Sequence, residues 1–248
     1  EVRAAPWVQA LAEAALARLN FDFARARAQV DRAIQEAPAE RRHPLRAWRA
    51  GLEALEAGLG AEGVGWGALL SEVYHHARLA WQGGRYEDFL VRVVRFVEGT
   101  LRCTLGTRWG YPTDARRQAR EFQERLDREP ALRQYLAAHT VDGQRLDPGR
   151  MGVPVFLHVL GYHARQDPTV RDLHAALERL DTLRRLRNDS VHQFCGVSRE
   201  DLEEAYPAGH TPLEDMAQAL RQLPLPMGED PFGQANQLIW DAVVGGRP

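Results

Sequence analysis

Helical periodicity runs through almost the whole sequence and limits the possible folds more than any other feature. Apolar residues recur every three to four positions in successive segments, and glycine- and proline-rich stretches separate these segments. This spacing puts apolar side chains on one side of an α-helix, whereas a half-buried strand would require strict alternation. The sequence therefore predicts an all-α fold whose amphipathic helices bury their apolar sides against one another.

The first three predicted helices occupy residues 5–19, 21–37 and 44–58. Pro6 begins the first, where proline suits the opening helical turn. A glycine-rich stretch at 58–67 follows the third helix, and such stretches interrupt regular structure. We therefore predict a domain boundary there, with a small helical subdomain at 1–62 and a larger helical domain at 63–248.

The larger domain contains further segments of helical spacing. Helices are predicted at 68–82, 85–105, 114–129, 167–194, 212–223 and 232–243. The segment at 141–152 fits either a short hairpin or loops, and 153–164 is a short apolar helix or a strand, because periodicity does not separate the two at this length. Two apolar stripes are expected to form the core: Tyr86, Phe89, Leu90, Val93, Val97 and Leu101 in one helix, and Val170, Leu173, Ala176, Leu177, Leu180 and Leu183 in another.

Composition excludes several classes of protein. The net charge of −2 is unlike that of a general nucleic-acid coat, which must neutralise many phosphates, so any bound RNA would be held at a local arginine cluster. No long apolar run and no secretory signal are present, so a cytoplasmic location without membrane association is expected. Cys103 and Cys195 form no CxxC pair and are interpreted as small buried apolar residues.

The stretch "LRRLRNDSVHQF" at 183–194 carries the candidate chemistry. Arginine and histidine separated by four to six residues occur three times: Arg187 with His192, Arg185 with His192, and Arg133 with His139. About three such pairs are expected by chance, so this spacing alone carries no signal. Asparagine, however, is scarce in this chain, and Asn188 directly follows Arg187. Asn188 and His192 would share a helical face, while Arg187 is offset by about 140° and would reach round with its long side chain.

These residues resemble a known family. "RNDSVH" is similar to the R-x4-6-H signature of HEPN domains in its R-N-x-x-x-H form. Residues 83–102, "GGRYEDFLVRVVRFVEGTLR", resemble part of the helical C-terminal region of type III CRISPR-associated ancillary ribonucleases. The matching positions are Arg85, Tyr86, Asp88, Arg92, Arg95 and Glu98, whereas Phe89 and Val94 depart from the pattern. The resemblance covers roughly residues 65–200, and the first 60 residues fit the helical bundle that precedes HEPN in such proteins.

The resemblance implies metal-independent cleavage of single-stranded RNA in CRISPR type III antiviral defence. It also implies a homodimer whose composite site lies between two HEPN domains. Such proteins carry an N-terminal CARF sensor of cyclic oligoadenylate, and this sequence has no strand–helix alternation of that kind. Because the chain begins at Glu1 without methionine, we expect it to be part of a longer protein that includes the sensor.

The side chains suit this chemistry. RNA carries a 2′-hydroxyl beside each phosphate, so cleavage needs a proton carrier and a cation rather than a metal or another cofactor. His192 is expected to transfer protons, Arg187 to stabilise the phosphate, and Asn188 to position them by hydrogen bonding. The remaining candidates for binding the substrate are Arg184, Arg185, Arg92 and Arg95.

Other interpretations stay open. Arg187 and His192 could be a surface arginine and a structurally hydrogen-bonded histidine, which would also describe an inactive HEPN fold. The chain could instead be a non-catalytic helical protein-interaction module, or an HEPN toxin of a toxin–antitoxin pair. The Arg133–His139 pair fits an ordinary helix end. His75 and His76 point about 100° apart on a helix, so they are poorly placed to chelate one metal.

Overall fold

The computed structural model describes residues 5–60, 66–114, 117–141, 143–147, 149, 151–193, 196–223 and 230–244. Within these ranges, the side chains of residues 58–60, 191–193 and 244 are not described. About 80% of the chain is helical, and strands are almost absent from the described part. The predicted all-α fold class is therefore confirmed.

The described residues form twelve α-helices. In chain order they are α1 (Pro6–Leu19), α2 (Phe23–Glu36), α3 (Arg42–Gly60), α4 (Trp66–Gln82), α5 (Tyr86–Trp109), α6 (Ala119–Asp127), α7 (Pro130–Ala137), α8 (Val153–Gln166), α9 (Arg171–Gln193), α10 (Arg199–Ala205), α11 (Pro212–Gln222) and α12 (Pro231–Val244). Strands β1 (Thr140–Val141) and β2 (Gln144–Arg145) form a small antiparallel hairpin between α7 and α8. Short 3₁₀ turns at Ala39–Arg41 and Pro168–Val170 lead into α3 and α9.

The chain divides into two compact units, Glu1–His75 with Pro226–Pro248 and His76–Leu225. This division departs from the predicted domains at 1–62 and 63–248 in two ways: the first unit extends to His75, within α4, and α12 belongs to it. Ala235 and Leu238 of α12 join the apolar core formed by α1 to α3, and the indole Nε1 of Trp48 donates to the Pro231 carbonyl at 2.7 Å. A sequence pattern does not reveal such a contact between the two ends of a chain.

The first unit also contains a buried ion pair. Arg18 donates to both carboxylate oxygens of Glu72, at 2.7 and 2.8 Å, and its guanidinium lies 4.9 Å from the centre of the Trp48 ring. Both charged side chains are almost inaccessible to solvent. Since a buried charge is costly unless it is paired and hydrogen-bonded, the two-pronged contact is what allows Arg18 into this core.

The second unit is built around α5 and α9. Both predicted apolar stripes are buried, except that Tyr86 at the start of α5 is only half-buried. The two helices run antiparallel: Arg108, near the end of α5, donates to Thr169 Oγ1 at 3.0 Å just before α9 begins. At the other end, a side chain at Gly196, just beyond α9, would lie 3.8 Å from Glu87 Oε1 in the first turn of α5.

Several local predictions are refined by the structure. The segment 153–164 is a helix, and the segment after α7 contains the short hairpin, with Gly143 at φ +76° in its turn. The helix predicted at 114–129 begins only at Ala119. Helix α10 was not predicted, although Ser198 and Asp201 form a capping box at its start, which is a recognisable signal in sequence. Among the described helices, none is long and apolar enough to cross a membrane.

Candidate functional site

The RNDSVH motif lies near the C-terminal end of α9. This helix extends to Gln193, so the backbone from Arg187 to His192 has the helical geometry that the motif requires. The side chain of His192 lies outside the described residues, and so does Cys195. The geometry of the candidate site is therefore built from Arg187, Asn188 and the residues around them.

Arg187 and Asn188 are in contact through their side chains. Nη1 of Arg187 donates to the Asn188 amide oxygen at 3.2 Å, and the Ser190 hydroxyl donates to the Arg187 carbonyl at 2.9 Å. Both Arg187 and Asn188 are half-buried, and Nε of Arg187 is buried without a hydrogen-bond partner among the described residues. A buried donor without a partner is costly, but Nε of Arg27 and Nε of Arg102 are buried in the same way, so this feature alone does not distinguish Arg187.

The other arginines of this helix end have different surroundings. Arg184 is bound to Asp181 of the preceding turn through Nε at 2.9 Å and Nη2 at 3.3 Å, and both side chains are largely buried. Arg185 is exposed and lines a surface cleft together with Asp189. Arg184 is therefore largely neutralised by its neighbour, whereas Arg185 is the more accessible cation.

Arg92 and Arg95 lie on α5. Because α5 and α9 are antiparallel, a rise of about 1.5 Å per residue from the Arg108–Thr169 contact places Arg95 and Arg92 roughly level with residues 182 and 185 of α9. Burial lowers the pKa of the half-buried Arg92 guanidinium. Arg95 is 70% exposed and lies 3.4 Å from Glu98. Both arginines therefore lie just before the axial level of the motif, which begins at Arg187.

Two clefts follow α9 towards the motif. The distal cleft, about 540 Å³, is closer to the motif and is lined by Leu157, Glu178, Asp181, Thr182, Arg185, Leu186, Asp189 and Ala205. The histidine cleft, about 620 Å³, is lined by Tyr135, His139, His158, Gly161, Ala164, Arg165, Arg171, His174 and Glu178. Glu178 lines both, so the two clefts adjoin along one side of α9.

Three imidazoles are grouped in the histidine cleft. The rings of His139 and His158 have centroids 4.7 Å apart, and Nδ1 of His174 lies 3.4 Å from a carboxylate oxygen of Glu178. Nδ1 of His139 lies 2.7 Å from the Tyr135 carbonyl. Because a carbonyl only accepts, Nδ1 of His139 must carry the hydrogen of that bond.

Burial lowers the pKa of two of these rings, His158 and His174. It lowers the pKa of His158 below the usual histidine value, and the nearby His139 and His174 lower it further. Burial also lowers the pKa of His174, although Glu178 opposes the effect. Both shifts favour the neutral imidazole at pH 7, and a charge on His174 would make His158 still harder to protonate.

Gly161 allows α8 and α9 to approach closely at this cleft. A Cβ at this position would lie 2.7 Å from Nε2 of His174 and 3.4 Å from the Tyr135 hydroxyl. The first distance is below van der Waals contact, so any larger residue would displace the His174 ring.

No protein-family model, curated protein or solved structure matches this chain. The interpretation of the site therefore depends on the residues and their geometry. Within the described ranges, no group of three or more histidine, cysteine, aspartate or glutamate side chains is arranged to hold a metal ion.

The sequence did not single out the histidine cleft. Its three histidines are distributed over α8, α9 and the residue after α7, and only the packing of these elements brings them together. His174 and Glu178, four residues apart on one helical face, were the available local signal. His139 was considered only as a partner of Arg133, but Arg133 forms an exposed ion pair with Asp127 instead.

Proposed function

We propose that this chain is a metal-independent endoribonuclease of the HEPN type that cleaves single-stranded RNA. The observation that carries the proposal is the R-N-x-x-x-H motif within continuous helix, with the Arg187 guanidinium hydrogen-bonded to the Asn188 amide. An ordinary surface arginine would be solvated and exposed, whereas this one is half-buried and hydrogen-bonded to the neighbouring amide.

The reaction needs only what RNA and the motif supply. The 2′-oxygen attacks the adjacent phosphorus, the bond from phosphorus to the 5′-oxygen breaks, and the products are a 2′,3′-cyclic phosphate and a 5′-hydroxyl. One proton leaves the 2′-hydroxyl and one must reach the 5′-oxygen. His192 is assigned to proton transfer, and Arg187 to the charge that develops on the phosphate oxygens. Asn188 holds the Arg187 fork in a fixed orientation.

A single motif supplies one proton carrier, whereas the reaction benefits from both a base and an acid. We therefore place the active site at a twofold interface between two copies of the chain, where an isologous contact presents the same helix end from both subunits. The α5 segment at 83–102, which resembles that of type III CRISPR-associated ribonucleases, supports a role in antiviral defence under the control of a CARF sensor.

The first prediction concerns the mechanism. Because the nucleophile belongs to the substrate, the purified chain should cleave unstructured RNA in excess EDTA, leave the all-deoxy strand intact and produce 2′,3′-cyclic phosphate ends. Arg187→Ala should reduce the rate at least about a hundredfold, the usual cost of losing a group that stabilises transition-state charge. Gel separation and mass spectrometry of the products measure both effects.

Arg133→Ala is the matched control, because it removes an exposed arginine that also precedes a histidine in sequence. It should cleave at the wild-type rate. Activity that disappears on chelation, or an Arg187→Ala variant as active as wild type, would exclude this mechanism.

A further inference from the structure

The histidine cleft contains two arginines that the proposed reaction does not use. We propose that this cleft binds a nucleotide phosphate, held by Arg165 and Arg171 and by the imidazoles beside them. This inference rests on the proposed ribonuclease function in one respect, because RNA would be the natural source of that phosphate.

The two arginines are fixed in place but not neutralised. The guanidinium of Arg165 lies 4.5 Å from the centre of the Tyr135 ring, and Nε of Arg171 donates to the Ala164 carbonyl at 3.0 Å. Among the described residues, neither forms an ion pair with a carboxylate, in contrast to Arg184 with Asp181. A guanidinium held by stacking or by one backbone bond keeps its other N–H groups available for phosphate oxygens.

The charge balance of the cleft favours an anion. Glu178 is the only carboxylate among the described residues that line the cleft, and it lies beside His174. Burial favours the neutral forms of His158 and His174, so the two arginines give the lining two positive charges against one negative charge. A bound phosphate would also favour the protonated forms of His158 and His174. Their pKa values, which burial lowers in the free protein, would rise when the anion binds.

The size and position of the cleft point to a nucleotide rather than to a small inorganic anion. Its volume of about 620 Å³ lies within the usual range for small-molecule sites. From His174 to Arg187 the helix rises about 20 Å, so a strand whose phosphate occupies the cleft could reach the motif through the distal cleft.

The shared chemistry has two possible sources, a phosphodiester of an RNA strand or a free mononucleotide. The test measures binding of each to the full chain by calorimetry, with an oligodeoxynucleotide in place of RNA because it has the same phosphodiesters and no 2′-hydroxyl to react. Tighter binding of the oligomer identifies the strand as the ligand, and equal binding of the mononucleotide identifies a nucleotide site.

The decisive variant is Arg165→Ala/Arg171→Ala, which should weaken binding at least about tenfold, since each lost charge-assisted hydrogen bond is worth that much. Arg120→Ala/Arg133→Ala removes two exposed, ion-paired arginines of α6 and α7 and should bind like wild type. Wild-type affinity in the first variant, or equal losses in both, would overturn the proposal.

Two further variants keep this result separate from the catalytic one. Gly161→Ala should weaken binding without changing any charge, because the new methyl group displaces the His174 ring; its melting curve shows whether the fold is retained. His192→Ala should weaken oligodeoxynucleotide binding much less than Arg165→Ala/Arg171→Ala does, although it abolishes cleavage of RNA. If the wild-type chain cleaves no RNA, the ribonuclease proposal is refuted. If the Arg165→Ala/Arg171→Ala variant nevertheless loses oligodeoxynucleotide binding, the phosphate site is still supported.

Discussion

The arginines of this chain have very different partners, and those partners decide what each can do. Arg184 is joined to Asp181 on its own helix, and Arg179 to the buried Asp215 of α11. Arg187 contacts only the neutral amide of Asn188 among the contacts described, so it keeps its full charge. A guanidinium whose charge is not cancelled by a carboxylate is the kind that can stabilise an incoming phosphate.

Histidine burial predicts how stability depends on pH. The pKa values of His158 and His174 are lowered in the folded protein, so as pH falls through about 6.5 the unfolded chain takes up protons first. Stability should therefore be greatest above about pH 6.5 and fall as the pH is lowered through that value. Thermal melting on both sides of that pH measures the slope.

His158→Gln/His174→Gln should flatten the slope, while His43→Gln, at an exposed position of the first unit, should leave it as in wild type. His163, whose pKa burial also lowers, accounts for the slope that remains. An oligodeoxynucleotide in the histidine cleft should reduce the slope in wild type. A melting temperature that rises on acidification would contradict this assignment.

At the scale of elements, α9 carries the core stripe, one side of both clefts and the motif. Its position is fixed in part by Asp215 of α11, which accepts hydrogen bonds from Nε of Arg179 at 2.8 Å and from the Tyr206 hydroxyl. Burial alone would raise the pKa of Asp215, but these hydrogen bonds outweigh it and lower the pKa. This contact therefore stabilises the attachment of α9 to α11.

Asp215→Ala should destabilise the second unit by about 3 kcal/mol, because it leaves the largely buried Arg179 and the Tyr206 hydroxyl without their acceptor. Chemical denaturation measures the loss. Asp127→Ala is the matched control, since it breaks an exposed ion pair with Arg133 and should unfold like wild type. Equal stability of the two variants would show that Asp215 does not anchor α9.

Prediction from sequence succeeded where local chemistry decides the outcome. Helical spacing gave the α5 and α9 stripes because an apolar face must be buried whatever it packs against. Periodicity alone did not separate helix from strand at 153–164, and the structure shows a helix that packs against both α5 and α9. The histidine cleft and the return of α12 to the first unit depend on contacts between residues distant in sequence, which no local pattern encodes.

The motif itself was recognisable because its residue types are unusual in this composition, and α9 provides the helical geometry that it needs. The assignment of Arg184 could not be judged from sequence, because its pairing with Asp181 depends on the rotamers of both side chains. Arg185 and Arg184 are adjacent and chemically identical, yet only Arg185 is exposed.

At the scale of the whole molecule, the central claim is that two copies of the RNDSVH helix end form one catalytic site. A twofold contact would bring two Arg187 side chains close together, and their mutual repulsion would be relieved when RNA lies between them. Each subunit would supply one proton carrier, so that one His192 removes the 2′-hydroxyl proton while the other protonates the 5′-oxygen.

The most direct test is the cleavage rate of purified heterodimers that pair wild type with the Arg187→Ala/His192→Ala double mutant. A composite site predicts a rate about a hundredfold below that of the wild-type homodimer, because every site lacks one cation and one proton carrier. Heterodimers that retain about half of the wild-type rate, as independent sites require, or a monomer fully active at high dilution would contradict the claim.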